Sequence, residues 1–298
     1  MDIGIIGPGA IGTFLAGVLG RYNDVDLLGK RDVNIQTVEV SGKTELETSV
    51  KYSTSMESLS DDELIIICTK SFDTEKAVRS LSDHISPDSY VLSLQNGLNN
   101  EKVISECVGE ERTIGGITSN GVTYMGPGKV KHAGIGETVI GRYPRGDSTI
   151  VDDVSGLFNE AGLKTRTSEE IIVHIWEKAV VNSGINPMTA IMDVRNGHLI
   201  EDRYLEELLE KIISESGRIA EKEVETSMDR LVTRTKEVAR DTSDNISSML
   251  QDVRNENRTE VEQINGEIIR KGEEFRISTP INETLFSMVK SMENRYMD

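Results

Sequence analysis

Residues 1–20, MDIGIIGPGAIGTFLAGVLG, decide the fold. A short apolar run from Asp2 to Ile6 stops at Gly7, Gly9 and Gly12, spaced G-x-G-x-x-G, and a helix-like stretch from Ile11 to Leu19 follows at once. In a strand-turn-helix unit the first glycine permits the sharp turn, the second lets the backbone approach a diphosphate, and the third lets the helix close on the strand. The helix N-terminus offers unpaired N–H groups to an anion. The spacing alone also suits a plain tight turn. Its position between a strand and a helix favours a dinucleotide site, with Gly7, Pro8, Gly9, Ala10, Ile11 and Gly12 as the cradle.

Outward from this unit, β-like runs alternate with helical ones: VDLLG (25–29), LIIIC (64–68), YVLSLQ (90–95), TIGGIT (113–118) and ETVIG (137–141). Continuous apolar runs fit strands buried on both faces of a doubly wound, Rossmann-type α/β sheet. The segment 122–142, VTYMGPGKVKHAGIGETVIGR, reads as two strands joined through glycine-rich turns, added at the sheet edge. Beyond Ser168 the apolar spacing becomes helical and no strand is evident, so the expectation is a Rossmann domain over residues 1–166 and an all-α domain over 167–298.

Composition narrows the partners. The formal net charge is −18 and the isoelectric point near 4.8, which leaves no broad basic surface to replace the counterions of a nucleic acid. No apolar run approaches the ~20 residues that span a bilayer, and the chain opens on a strand rather than a charged, cleavable leader, so a cytoplasmic location is expected. Two cysteines, Cys68 and Cys107, lack metal-ligand spacing and read as reduced, buried thiols; no metal site is expected.

Cofactor choice is written at the end of the second strand. An acidic residue there would accept a ribose 2′-hydroxyl, whereas a 2′-phosphate needs a cation. VDLLG ends in Lys30 and Arg31, which favours NADP over NAD; Asp26 lies within the strand and Asp32 follows too late. Two more strand ends deliver polar groups to the same crevice: Lys70 after LIIIC and Asn96 after YVLSLQ. An exposed helix-start lysine and an Asn-Gly turn are the plainer readings of those two.

The most informative stretch is IIVHIWEKAVVNSGINPMTAIM (171–192), apolar around much of its circumference yet carrying Lys178, Asn182 and Asn186 at i, i+4 and i+8. One face therefore holds an ammonium and two amides, which need polar partners if buried. Pro187 disfavours helical geometry at Asn186, so the helix is expected to end there. An ammonium beside a ketone can stabilise the charge that hydride addition puts on oxygen and donate the proton. Further on, Thr242, Ser243 and Asp244 look like a helix start, and Glu260, four and eight residues before Ile264 and Ile268, flanks an inward face.

The strings GPGAIG, TKS, QNG, WEKAVVNSGINPMTAI and NISSMLQDVRNENRTEVEQINGEIIRKG together resemble the ketopantoate reductase (2-dehydropantoate 2-reductase) family over essentially the whole chain. The resemblance implies the reduction of 2-dehydropantoate by NADPH to (R)-pantoate, on the route to pantothenate and coenzyme A. It implies Lys178 as the catalytic acid and Glu260 as a catalytic-site glutamate that contacts substrate and cofactor ribose. By the same resemblance Asn182, Asn186, Asn196 and Ser248 bind substrate and Asn96 touches both substrate and nicotinamide. Lys30, with Arg31 beside it, meets the 2′-phosphate, and Lys70 is another cofactor contact. The TSNG stretch departs from the family, so which of Ser119, Asn120 and Gly121 meets the nicotinamide stays open, with Gly121 carried as a cofactor contact. A homodimer is among the assemblies open to the chain, and the sequence does not fix the oligomeric state. The competing readings are a reductase of another branched 2-oxo acid and a protein that senses NADP without turnover.

Overall fold

A computed structural model describes residues 1–297. The chain divides into two compact units, residues 1–95 with 99–174, and residues 96–98 with those from 175 onward.

In the first unit β1 (Ile3–Ile6), α1 (Ala10–Leu19) and β2 (Val25–Leu28) form the glycine-loop unit read from the sequence. Next come β3 (Thr37–Gly42), β4 (Leu46–Ser49), β5 (Lys51–Ser53), β6 (Leu64–Ile67), α2 (Thr74–Ser82), β7 (Tyr90–Ser93) and α3 (Asn100–Val108). The unit closes with β8 (Thr113–Thr118), β9 (Gly121–Gly126), β10 (Lys129–Gly134), β11 (Thr138–Arg142), α4 (Thr149–Glu160) and β12 (Thr165–Thr167). Eight strands form one sheet in the order β12-β11-β8-β7-β6-β1-β2-β5. From β8 to β5 all neighbours are parallel; β11 runs antiparallel to β8 and pairs in parallel with β12. The β1 and β6 runs are buried at every position, as a strand covered on both faces requires.

The expected edge hairpin is placed differently. β9 and β10 do pair antiparallel, but they belong to a separate four-stranded sheet, β4-β3-β10-β9, while only β11 joins the main sheet. The reason lies in α1, which is buried from Gly12 to Leu19 with no polar face to give to water. A helix that is apolar all round must be covered all round. The main sheet packs on one side, and Val38, Val40 and Val130 of the small sheet join Phe14 and Val18 in the same core. Burying a side chain such as Phe14 contributes about 1.5–3 kcal/mol.

Helix α5 (Ile171–Met192) begins in the first unit and continues into the second. Contrary to the sequence reading, it does not end at Asn186: Pro187 sits inside it. The second unit continues with α6 (His198–Glu201), α7 (Arg203–Glu223), α8 (Met228–Asp241) and α9 (Ser248–Arg254). After these come a π turn over Glu262–Gly266, α10 (Glu267–Phe275) and α11 (Pro280–Glu293); among the described residues this unit is helical. Its core gathers Ala190, Met249, Leu250, Val261, Ile264 and Val289. The helix start expected at Thr242–Asp244 also moves. Thr242 closes α8, its hydroxyl donating to the Val238 carbonyl at 2.6 Å, and the cap of α9 is Ser247, whose Oγ accepts from the Leu250 N–H at 3.1 Å.

Candidate active site

The glycine loop leaves β1 at the carboxyl edge of the sheet, where Gly7 turns with φ +106° and any Cβ would lie 2.7 Å from the Thr69 amide nitrogen behind β6. A Cβ on Gly12 would collide with the Gly7 carbonyl oxygen, so helix and strand close only because that side chain is missing. Gly9 is the opposite case. It caps α1, is exposed, and a Cβ built on it meets no atom within 4 Å. A backbone that is open in front and followed by a helix N-terminus fits a diphosphate, so these residues suit the dinucleotide read from the sequence. Pro8, Ala10 and Ile11 are half-buried around it.

Three cations and a loop occupy the same edge. Lys30, two residues past β2, forms a 2.7 Å ion pair with Asp73, its own side chain 63% exposed. Arg31 is exposed, and its carbonyl accepts from the Tyr52 hydroxyl at 2.5 Å. Lys70 is the half-buried residue that opens the short helical turn before α2. After β8, Asn120 anchors the turn into β9: its Oδ1 accepts from the Gly136 N–H at 3.0 Å and lies 3.2 Å from Nε2 of buried His132. The imidazole Nδ1 sits 2.9 Å from the Thr44 hydroxyl and the ring packs on Phe14, with centroids 4.6 Å apart. Burial holds His132 below the ordinary histidine range, which keeps it neutral. Gly121 begins β9 directly after this anchored turn.

In the second unit Lys178, Asn182 and Asn186 lie on successive turns of α5; Lys178 and Asn182 are half-buried and Asn186 is 5% exposed. The neighbouring carboxylate, Glu177, is engaged by Arg230 at 2.8 Å and by Thr226. Asn96 and Glu260, 164 residues apart, meet: the Asn96 amide donates to the Glu260 carboxylate at 3.3 Å, and Glu260 is buried. Asn96 is thus more than a turn residue. The tripeptide it opens docks on the π turn, with Leu98 N–H donating to the Gln263 carbonyl at 2.9 Å and Gly97 at φ +88°, where a Cβ would press on that same carbonyl. Asn196 is buried, its amide donating to Thr242 Oγ1 at 2.8 Å while its Oδ1 has no partner. Ser248 is exposed at the start of α9, whose cap Ser247 is hydrogen-bonded at 2.6 Å to Thr189 of α5.

The family described as ketopantoate reductase PanE/ApbA matches residues 3–145, and its C-terminal part, ketopantoate reductase PanE/ApbA C terminal, matches residues 170–293. The chain is similar to 2-dehydropantoate 2-reductase of Pyrococcus horikoshii, with 39% identity over 99% of this chain and 98% of that one. This chain belongs to the ketopantoate reductase family. Among solved structures, a PanE/ApbA family ketopantoate reductase from Ralstonia eutropha superposes with a TM-score of 0.91 at 25% identity, covering 100% of both chains. The ternary structure of D-mandelate dehydrogenase with NADH and anilino(oxo)acetate superposes with a TM-score of 0.92 at 26% identity, again over 100% of both.

Measured against this reductase fold, the sequence reading missed the partners that hold its site residues. Asp73, which pairs Lys30, carried no signal beyond being an acidic helix-start residue. His132 was legible only as one of four histidines in an apolar-alternating strand. Asn265, inside the π turn, could have been found from the INGE string. The two cysteines are free and half-buried rather than fully buried; the Cys68 thiol is pushed up to about 12 by its apolar surroundings, which leaves it without thiolate character.

Proposed function

We propose that this chain is a cytoplasmic, NADP-dependent 2-dehydropantoate 2-reductase that converts 2-dehydropantoate to (R)-pantoate for pantothenate and coenzyme A synthesis. The observation that carries the reading is the pairing of Asn96 with Glu260 in the same helical unit that bears Lys178, Asn182 and Asn186.

The roles follow from chemistry at each atom. The Gly7–Gly12 loop receives the diphosphate of NADPH, Lys30 and Arg31 face its 2′-phosphate, and Lys70 and Gly121 contact it further along. When bound, the reduced nicotinamide supplies a hydride to the ketone carbon. Lys178 places its ammonium at the ketone oxygen, stabilises the developing negative charge and donates the proton from Nζ, which solvent then replaces. Asn182, Asn186, Asn196 and Ser248 orient the carboxylate and hydroxyl of the substrate. Glu260, oriented by Asn96, accepts hydrogen bonds from hydroxyl groups of substrate and cofactor. The cofactor falls to residues 1–166 and the substrate and acid to residues 167–298, with a homodimer as the assembly; sedimentation velocity reads the latter.

The specific rival is a reductase of another 2-oxo acid using NADH, as the D-mandelate dehydrogenase neighbour suggests. Lys30 and Arg31 at the end of β2 favour the phosphorylated cofactor. Steady-state turnover of ketopantoate and of 2-oxoisovalerate, which lacks the hydroxyl, with NADPH and then NADH separates the two. Higher kcat/KM for ketopantoate with NADPH supports the proposal, and equal values on both ketones or a preference for NADH defeat it.

A further inference from the structure

Proline inside a helix removes one N–H and leaves the carbonyl four residues earlier without its helical partner. In α5 that carbonyl belongs to Ser183, which lies between Lys178 and Asn186 in the chain and is fully buried, so water does not supply the missing donor. An unpaired buried carbonyl is among the more destabilising defects a core can contain. Here the donor comes from another segment: the Asn265 side-chain amide reaches Ser183 O at 2.9 Å.

The orientation of Asn265 is fixed by its surroundings. Glu215, a buried carboxylate on α7, only accepts; it takes the Ile281 N–H at 3.0 Å, the Asn282 N–H at 3.0 Å and the Asn282 Nδ2 at 3.0 Å. With its Nδ2 committed there, Asn282 turns Oδ1 toward Asn265, whose Nδ2 donates to it at 3.0 Å. Both protons of the Asn265 amide are therefore used, one on Asn282 and one on the carbonyl that Pro187 released. Its Oδ1 is buried with no partner, so the side chain is held by its donors alone.

Asn265 lies in the π turn that follows Glu260 and whose Gln263 carbonyl receives Leu98. Such turns recur at functional sites because they redirect the side chains around them. We infer that Asn265 is a positioning residue: by replacing the hydrogen bond lost at Pro187 it fixes the Lys178–Asn182–Asn186 face of α5 against the segment that carries Glu260, and through Glu260 its partner Asn96. The inference rests on the reductase reading for its kinetic readout, and the hydrogen-bond pairing can also be read without turnover.

Asn265→Leu keeps the approximate volume and removes the donor. It should lower kcat with ketopantoate by about tenfold or more, the scale expected when reacting groups are misplaced by a fraction of an ångström. The KM for NADPH should change less than kcat does, because Asn96 and Glu260 supply only part of the cofactor's contacts and the glycine-loop cradle lies in the other unit. Pro187→Ala returns an N–H to Ser183 O, so Asn265→Leu in the Pro187→Ala background, compared with Pro187→Ala alone, should lose less than half as much kcat on a logarithmic scale. Thermal midpoints of the four proteins should show the same coupling. If Asn265→Leu alone does not fold, recovery of folded protein in the double variant supports the pairing, and its kcat then reads the positioning. Equal losses in both backgrounds, no recovery of folding in the double variant, or an unchanged kcat in folded Asn265→Leu overturn the inference. An inactive wild-type enzyme on ketopantoate would instead defeat the functional reading, with the thermal coupling still reporting on Asn265.

Discussion

The Asn96 amide donates to the Glu260 carboxylate at 3.3 Å, a contact within the second unit between residues 164 positions apart. The contact orients a buried carboxylate by a neutral donor. Asn96→Asp would set two carboxylates against each other, and they would have to share a proton. The kcat/KM for ketopantoate should fall, and fall further as the pH is raised from 6 to 9, because the shared proton is then lost. A pH-independent deficit in the pH–rate profile would show that the contact does not orient Glu260.

Gly9 and Gly12 separate folding from binding within one loop. Gly12→Ala drives a methyl into the Gly7 carbonyl and should lower the thermal midpoint as well as NADPH affinity. Gly9→Ala enters open space, so the midpoint of the cofactor-free protein should stay within about 1–2 °C while the NADPH Kd rises by tenfold or more, since the methyl occupies the approach to the diphosphate. Differential scanning fluorimetry and a fluorescence titration check the pair.

Lys30 is paired with Asp73 at 2.7 Å. Lys30 is largely exposed and Asp73 half-buried; pairs open to solvent contribute only about 0–1 kcal/mol, so Asp73→Asn should tighten NADPH by no more than a few-fold and leave NADH unchanged. Lys30→Ala with Arg31→Ala should weaken NADPH much more than NADH. Titrations with both cofactors test this, and equal effects on the two would remove the 2′-phosphate from these residues.

At the other edge of the main sheet Asp62 is pushed up to about 7, first by burial and then by Asp26, Asp2 and Asp61, with Lys51 opposing. One of its carboxylate oxygens is buried without a partner. An acid raised from its unfolded value of 3.8 holds its proton in the folded state while the unfolded chain has lost it, so stability declines as the pH rises from about 4 to about 7 and the penalty then stays constant. Asp62→Asn should raise the thermal midpoint at pH 8 and have little effect at pH 4. A gain of equal size at both would reject the assignment.

The parts of this molecule that repeat with a short period were readable in the sequence. Five strand runs, the glycine loop and the stripe on α5 each follow from the spacing of a few neighbours. Long-range consequences were less readable. Pro187 argues locally for a helix end, yet α5 continues through it, and Asn265, 78 residues later, donates to the Ser183 carbonyl. The small sheet over α1 escaped notice because β3 and β4 are short strands with exposed faces, and the demand for cover comes from α1 rather than from their own pattern. By spacing alone Glu260 was one acidic residue among many; the family resemblance singled it out, and its contact with Asn96 gives it a physical partner.

Lys178 carries the central claim, and single-turnover and steady-state reduction of ketopantoate by NADPH in wild type and Lys178→Ala test it most directly. The expected result is a loss of kcat of about 100-fold or more, with the NADPH Kd unchanged within about threefold, as for an acid that acts on the ketone oxygen only as it becomes negative. A Lys178→Ala enzyme that turns over at the wild-type rate, or one whose whole deficit lies in cofactor affinity, would contradict the account.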